Sequence, residues 1–163
     1  MAVAQGSEQP LRFIELHYNG GTKGAALTTY LSLAGRYCVL MPNTPRGGGI
    51  SRKITNAADR KKLKEIAVEL QVPDGAGLIV RTAGAKRTKP EIKRDCEYLL
   101  RLWDTIREKT LSSNAPACVY EEGDLIKRVI RDLFNKDVQD VVETALGGKA
   151  ATEIGITVPI HDR

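Results

Sequence analysis

The stretch Gly77-Leu78-Ile79-Val80-Arg81-Thr82-Ala83-Gly84 decides the fold class, because an apolar run ends abruptly at an arginine and a threonine. A short, continuous apolar run is typical of a β-strand that is buried on both faces of a sheet. Arg81 and Thr82 then fall at the carboxyl edge of that sheet, where open α/β sheets bind ligands. The stretch therefore predicts a buried strand that brings a guanidinium group and a hydroxyl group to a sheet edge.

Helical patterns flank this strand on both sides. One helix is predicted over about residues 56–70, where apolar residues recur along one face. A second is predicted over about residues 89–111, because Thr88 and Glu91 form a capping box and Pro90 lies in the first turn. This alternation of strand and helix predicts an α/β fold in which part of the sheet is parallel.

Other segments predict further strands and a third helix. Strands are predicted over residues 12–18, 25–33, 36–41, 117–120 and 138–142, and a helix over residues 124–134. Ala34-Gly35 is the predicted tight connection between the strands over residues 25–33 and 36–41. Residues 1–11 are polar and irregular, and clear periodicity is lost after Glu143, so no element is expected in either segment.

The composition limits the class of protein. Hydrophobic residues make up 42% and charged residues 28%, which fits a chain with an ordinary core rather than a disordered one. We expect neither a transmembrane helix, which needs roughly 20 apolar residues in succession, nor a signal peptide. Cys38, Cys96 and Cys118 are far apart and lack CxxC spacing, so we expect reduced thiols in the cytoplasm and no zinc site.

Two segments rich in basic residues are candidates for contact with a polyanion. In Lys86-Arg87-Thr88-Lys89-Pro90-Glu91-Ile92-Lys93-Arg94, five of nine residues are basic, and a predicted helix begins there. This pattern is typical of a patch that follows a nucleic-acid backbone, although a solvated loop and helix face has the same pattern. The second segment is a glycine-rich loop with basic ends that includes Arg52 and Lys53. Aromatic residues make up only 5%, which argues against extensive base stacking.

Arg81 and Thr82 are the first candidates for a binding site. Arginine suits phosphate because its planar fork donates two parallel hydrogen bonds, and threonine adds a hydroxyl donor. The alternative is an arginine at the end of a strand that pairs with a carboxylate of the core. Spacing alone leaves both interpretations open.

No catalytic or metal-binding pattern accompanies these residues. Asp137, Asp140 and Glu143 are close in sequence but resemble ordinary polar residues at the ends of elements. We find no Ser/His/Asp set with a defining context and no spacing typical of metal ligands.

Several motifs resemble the ribonuclease E/G family in order and spacing. They are Lys23-Gly24-Ala25-Ala26-Leu27-Thr28-Thr29, Ser32-Leu33-Ala34-Gly35, Val39-Leu40-Met41-Pro42-Asn43, Gly48-Gly49-Ile50-Ser51-Arg52, the stretch from Gly77 to Gly84, and Leu125-Ile126-Lys127-Arg128-Val129-Ile130-Arg131-Asp132-Leu133. The resemblance covers about residues 22–142. It implies a divergent N-terminus with an S1-domain remnant over residues 1–28, a 5′-sensor-like domain over 29–122, and part of an RNase H-like subdomain with a divergent tail over 123–163. The implied fold is α/β of mixed character, with partial S1 strands followed by a mixed sheet and flanking helices.

The resemblance also implies roles for individual residues. Arg81 and Thr82 fall where the family binds an RNA 5′-monophosphate, and Gly35 and Val39 fall where it contacts the terminal nucleotide. The remaining candidates for contact with the RNA backbone are Lys23 and Arg52 from the resemblance, and Lys53, Lys86, Arg87 and Lys89 from the basic segments.

The leading hypothesis is an RNA-binding, 5′-sensing portion of an endoribonuclease of RNA processing and decay. We expect single-stranded RNA with a 5′-monophosphate as its partner, rather than DNA. The family's catalytic domain holds magnesium and shares zinc between subunits, and its motifs are missing here, so we expect a fragment that has no cofactor and does not cut RNA alone. One alternative is a remnant that serves as a structural or interaction module. Another is a chain that works with a catalytic domain on a separate polypeptide.

Overall fold

A computed structural model describes the backbone of residues 2–4, 12–18, 25–44, 48–114, 116–122, 125–135, 137–138, 140–146 and 151–157. The chain forms two compact units, Met1–Glu121 and Glu122–Arg163. The three segments that the family resemblance implies stay a prediction.

The elements alternate between strands and helices through the middle of the chain. The strands are β1 (Ala2–Ala4), β2 (Arg12–Tyr18), β3 (Ala25–Thr28), β4 (Leu33–Ala34), β5 (Cys38–Met41), β6 (Gly49–Ile50), β7 (Gly77–Val80), β8 (Ala117–Cys118), β9 (Asp140–Leu146) and β10 (Ala151–Thr157). The helices are α1 (Ala57–Glu69), α2 (Lys89–Leu111) and α3 (Leu125–Leu133). The predicted α/β fold class is confirmed.

The sheet that contains β7 is mixed. Its strand order is β4-β5-β7-β6, and β5 pairs antiparallel with both β4 and β7. β6 pairs parallel with β7, so that Ile50 lies opposite Val80. A parallel pair requires a crossover connection, and α1 provides it between β6 and β7. The predicted parallel part of the sheet is therefore confirmed.

The core lies between this sheet and the two long helices. Leu33, Leu40 and Val80 of the sheet are fully buried, as are Leu63 of α1 and Leu99 of α2. All five belong to one continuous hydrophobic cluster. The helices bury the residues that recur at helical spacing, so the predicted amphipathic faces are confirmed.

Both helices begin where the sequence predicts. The side chain of Asn56 accepts a hydrogen bond from the backbone N–H of Asp59 at 3.0 Å, which caps α1. The capping box of α2 forms, with the backbone N–H of Thr88 donating to Glu91 Oε2 at 2.8 Å. This backbone bond, together with one from the Thr88 hydroxyl, lowers the pKa of Glu91. The start of α2 is thus fixed at the basic segment.

The strand predicted over residues 25–33 is wrong, because the chain divides it between two sheets. β3 pairs with β2, whereas β4 pairs with β5. Asn43 holds the bend between them, since its side chain accepts from Leu31 N–H at 2.9 Å and donates to the Thr29 carbonyl at 2.6 Å. The connection that follows β4 is also longer than the predicted Ala34-Gly35, because β5 begins only at Cys38.

Strands also occur in segments where none was expected. β1 lies within residues 1–11 and pairs with β2 and β8 in a four-stranded antiparallel sheet, β3-β2-β1-β8. β9 and β10 form an antiparallel pair in the second unit, and β10 lies wholly beyond Glu143.

Among the helices of the described ranges, none is both long enough and apolar enough to cross a membrane.

Replacing Leu99 with alanine should destabilise the first unit by about 2–5 kcal/mol, because the change leaves a cavity in the core. The matched control is Leu111→Ala at the end of the same helix, where the side chain is 67% exposed, and it should change stability by less than about 0.5 kcal/mol. Urea unfolding followed by the fluorescence of Trp103, the chain's one tryptophan, measures both. Equal effects would contradict the described packing of α2.

Candidate functional site

The turn between β4 and β5, residues 35–38, is the centre of the candidate site. It is closed by a hydrogen bond from the N–H of Gly35 to the carbonyl of Cys38 at 2.8 Å. Gly35 and Cys38 are buried, whereas Arg36 and Tyr37 between them are partly exposed. The turn therefore presents the side chains of Arg36 and Tyr37 to solvent, while its backbone is held by the buried residues at its two ends.

The carboxylate of Asp95, on α2, binds the amide side of this turn. Its Oδ1 accepts from Arg36 N–H at 3.0 Å, and its Oδ2 accepts from the N–H groups of Tyr37 and Cys38, both at 2.8 Å. Three successive N–H groups that converge on one anion form a concave backbone site. Bonds to a charged acceptor are among the stronger hydrogen bonds in proteins. Asp95 thus fixes the turn against the helix.

Arg81 binds the carbonyl side of the same turn. Its Nη1 donates to the carbonyl of Gly35 and, at 3.2 Å, to that of Arg36. Its backbone N–H donates to the carbonyl of Tyr37 at 2.7 Å. The residue that follows β7 is therefore held by both its backbone and its side chain.

Thr82 begins a single 3-10 turn, Thr82–Gly84, directly after Arg81. Its side chain is exposed, while Gly84 is buried. A Cβ atom at Gly84 would lie 3.2 Å from the Tyr37 carbonyl and 2.9 Å from Val80 Cγ1, so glycine permits a close approach. The turn that follows Arg81 thus packs against the turn of residues 35–38.

The structure brings together the four residues predicted to bind the 5′ end. Arg81 contacts Gly35, Thr82 follows Arg81, and Val39 lies on β5 opposite both Ala34 of β4 and Ile79 of β7. Their roles stay predictions, but their proximity is a fact of the fold.

Arg52 and Lys53 lie beyond the same end of the sheet. The N–H of Ser51, just after β6, donates to the Val80 carbonyl at 2.9 Å. The carboxyl ends of β6 and β7 are therefore level, and both basic side chains that follow β6 are exposed. The fold places them on the edge that carries Arg81.

The basic residues at the start of α2 differ in their contacts. Lys86 is exposed, whereas Arg87 lies 3.6 Å from Glu91 and Lys89 forms an ion pair with Glu69. Such exposed pairs contribute little stability and leave both partners accessible to solvent. Lys23, the last predicted contact, lies outside the residues that the structure describes.

Sequence reasoning missed Asp95 and Tyr37. A signal for Asp95 is present, because it shares the helical face of Ile92, Cys96 and Leu99, where a carboxylate needs a buried partner. Nothing local identifies that partner, since the bonded amides lie 57 to 59 residues earlier in the chain.

The thiol of Cys38 is buried at the end of the turn of residues 35–38. Burial raises its pKa to about 12, and the charge of Asp95 adds to the effect while that of Arg81 opposes it. A thiol in this state is not a nucleophile at physiological pH. Within the described ranges, no group of three His, Cys, Asp or Glu side chains is placed to hold a metal ion.

The family model described as the Ribonuclease E/G family matches residues 32–148, which include the turn of residues 35–38, Arg81, Thr82 and the start of α2. The chain belongs to the ribonuclease E/G family. It is 49% identical to ribonuclease E of Haemophilus influenzae and 45% identical to that of Escherichia coli, each over 122 residues. These matches cover 75% of this chain but only 13% and 11% of the two relatives. Ribonuclease G of Escherichia coli is 34% identical over 134 residues, or 82% of this chain and 27% of that relative.

Gly35→Ala should destabilise the first unit by about 1–3 kcal/mol, because the new methyl group overpacks the site. Its Cβ would lie 2.5 Å from Asp95 Oδ2, so that either the turn or the carboxylate must move. The control is Gly49→Ala, where a Cβ meets nothing within 4 Å, and which should change stability by less than about 1 kcal/mol. Urea unfolding measures both variants, and an equally stable Gly35→Ala would refute the tight contact with Asp95.

Thiol labelling should separate the three cysteines. Cys118 is exposed, whereas Cys38 and Cys96 are buried and burial raises the pKa of both thiols. At about pH 8, iodoacetamide should modify Cys118 quickly and the other two only as the chain unfolds, because the thiolate is the reactive form. Mass spectrometry of timed samples, with a urea-unfolded control, measures the rates. Rapid labelling of Cys38 in the folded chain would contradict the closed turn.

Proposed function

We propose that this chain binds the 5′-monophosphate end of single-stranded RNA, as the sensing portion of a ribonuclease E/G-type endoribonuclease in RNA processing and decay. Family membership supports RNA as the substrate, since the matched relatives are named ribonucleases. The observation that carries the proposal is the attachment of Arg81 to the turn of residues 35–38. This attachment fixes the guanidinium group of the residue that directly precedes Thr82, whose side chain is exposed.

The proposed phosphate contacts come from these two side chains. The guanidinium of Arg81 supplies a permanent positive charge and a planar fork of N–H donors, of which Nη1 is already bonded to the carbonyls of Gly35 and Arg36. The hydroxyl of Thr82 adds one donor at the adjacent position. Because backbone carbonyls already orient Arg81, binding costs less side-chain entropy than it would with a freely rotating arginine. Gly35 and Val39 would contact the sugar and base of the terminal nucleotide.

The surrounding basic residues would follow the RNA backbone. Arg52, Lys53 and Lys86 are exposed to solvent and would meet phosphates, while Arg87 and Lys89 would exchange their carboxylate partners for phosphate. Lys23 completes the set in this proposal. Binding that depends on such contacts weakens steeply as salt rises, because RNA releases condensed counterions.

In this proposal the cutting step and its magnesium belong to the family's catalytic domain, and the described chain supplies recognition. A catalytic domain on another polypeptide would then be a functional partner. The family's zinc would likewise be held by that part of the enzyme.

A second candidate function is that of an interaction module. The observation that favours it lies near the end of α3, where Ile130, Leu133 and Phe134 are 45%, 54% and 42% exposed. Exposed apolar side chains that lie together on a surface often mark contacts with other protein segments. This function predicts no preference among RNA ends, so the next experiment distinguishes the two.

Affinity for short RNAs that differ only in a 5′-monophosphate, 5′-triphosphate or 5′-hydroxyl tests the proposal. The chain should prefer the monophosphate, and Arg81→Ala should weaken that binding about 10- to 100-fold, because charge-assisted bonds are lost. Thr82→Val should remove the hydroxyl while leaving stability nearly unchanged, since the side chain is exposed. The control is Arg107→Ala, which removes an exposed arginine paired with Asp104 on α2.

Fluorescence anisotropy gives the affinities, and thermal unfolding checks that each variant is folded. Arg81→Ala also removes two hydrogen bonds to the turn of residues 35–38, so its loss of affinity could reflect a changed structure. Thr82→Val removes a proposed phosphate contact without removing these bonds. Equal affinity of the wild-type chain for all three ends would reject 5′-end recognition.

A further inference from the structure

A cleft lies on the side of the turn of residues 35–38 that faces Asp95. It takes no part in the proposed phosphate contacts of Arg81 and Thr82. It has a volume of about 330 Å³ and lies between the turn and α2. Its lining consists of Arg36, Tyr37, Glu91, Arg94, Asp95 and Tyr98. The volume falls at the lower end of the roughly 300–1,000 Å³ that is usual for small-molecule sites. We name it the Tyr98 cleft.

Aromatic side chains are prominent in this cleft although they are scarce in the chain. Tyr98 is 51% exposed on the surface of α2. The ring of Tyr37 is partly exposed and lies beside two guanidinium groups, with its centroid 5.6 Å from Arg36 Cζ and 5.3 Å from Arg87 Cζ. Aromatic rings and arginine planes are the surfaces on which unpaired bases stack. The lining thus suits a flat heterocycle.

The charges of the cleft favour a neutral ligand with hydrogen-bond acceptors. Two arginines and two carboxylates balance formally, which disfavours a phosphate as the occupant. Both oxygens of Asp95 accept backbone N–H groups, and Glu91 is bound to Thr88. Neither Arg36 nor Arg94 has an ion-pair partner among the residues whose side chains are described. The guanidinium donors of these two arginines are therefore available to a ligand.

We propose that the Tyr98 cleft binds the base of the second nucleotide of the RNA, an inference that rests on the proposed 5′-end site. Arg81 donates to the carbonyl of Arg36, and the side chain of Arg36 lines the cleft. The two sites therefore share one turn, and a strand whose 5′-phosphate lies at Arg81 reaches the cleft with its next base. Guanine fits best, because its O6 and N7 accept two parallel bonds from an arginine.

The test uses the full chain and 5′-monophosphorylated oligonucleotides that differ only at the second nucleotide, which is guanosine, uridine or an abasic residue. Guanosine should bind about 5- to 20-fold more tightly than the abasic residue, as expected for a stacked and hydrogen-bonded base. Tyr98→Leu should abolish most of this difference, and Arg94→Gln should reduce the preference of guanosine over uridine. Tyr30→Leu is the control, because Tyr30 is also exposed, at 58%, and does not line the cleft.

Two outcomes would overturn the inference: equal affinity of the wild-type chain for guanosine and the abasic residue, or an unchanged difference in Tyr98→Leu. The same oligonucleotides with a 5′-hydroxyl separate this inference from the proposed function. If 5′-end sensing is wrong, the monophosphate preference is missing at every second nucleotide. If only the cleft is wrong, that preference remains and the effect of the second base is absent.

Discussion

The binding of three successive backbone amides by the carboxylate of Asp95 is the interaction on which the site depends. A charged carboxylate near a core costs free energy unless its oxygens are hydrogen-bonded, and this one satisfies both through the turn of residues 35–38. The turn is in this way attached to α2. Once its amides face Asp95, its carbonyls face the end of β7, where Arg81 donates to them. One turn thus links a helix, a hairpin and a buried strand.

The topology of the sheet explains why Arg52 and Arg81 lie at the same edge as this turn. β6 and β7 are parallel and end level with each other, so Arg52 and Arg81 emerge at the same edge. β7 also pairs with β5, which brings Val39 opposite Ile79. The sheet therefore carries Arg81, Thr82 and the exposed Arg52 and Lys53 at one edge, to which the proposed function assigns the RNA 5′ end. Backbone pairing between the strands sets the positions of these residues, and their side chains supply the charges and hydrogen-bond donors.

Local patterns were sufficient to predict the helices, the capping box of α2 and the strand that ends at Arg81, because each depends on neighbours within a few residues. These local patterns failed where the structure depends on a hydrogen-bond partner that is distant in the sequence. The strand predicted over residues 25–33 is broken because Asn43 holds the bend, and its bonds span 12 and 14 residues. The role of Asp95 was missed because its partners lie almost 60 residues away. The family resemblance supplied Gly35 and Val39, which no local pattern singles out.

The most direct test of this account is a titration of the ¹⁵N-labelled chain, followed by amide NMR, with a 5′-monophosphorylated dinucleotide and with its 5′-hydroxyl counterpart. If Arg81 and Thr82 bind the phosphate beside the turn held between Asp95 and Arg81, the monophosphate should shift the amides of residues 35–39 and 81–84 most. The 5′-hydroxyl form should then leave these amides nearly unchanged. Equal shifts with both dinucleotides, or shifts confined to the start of α2, would contradict the account.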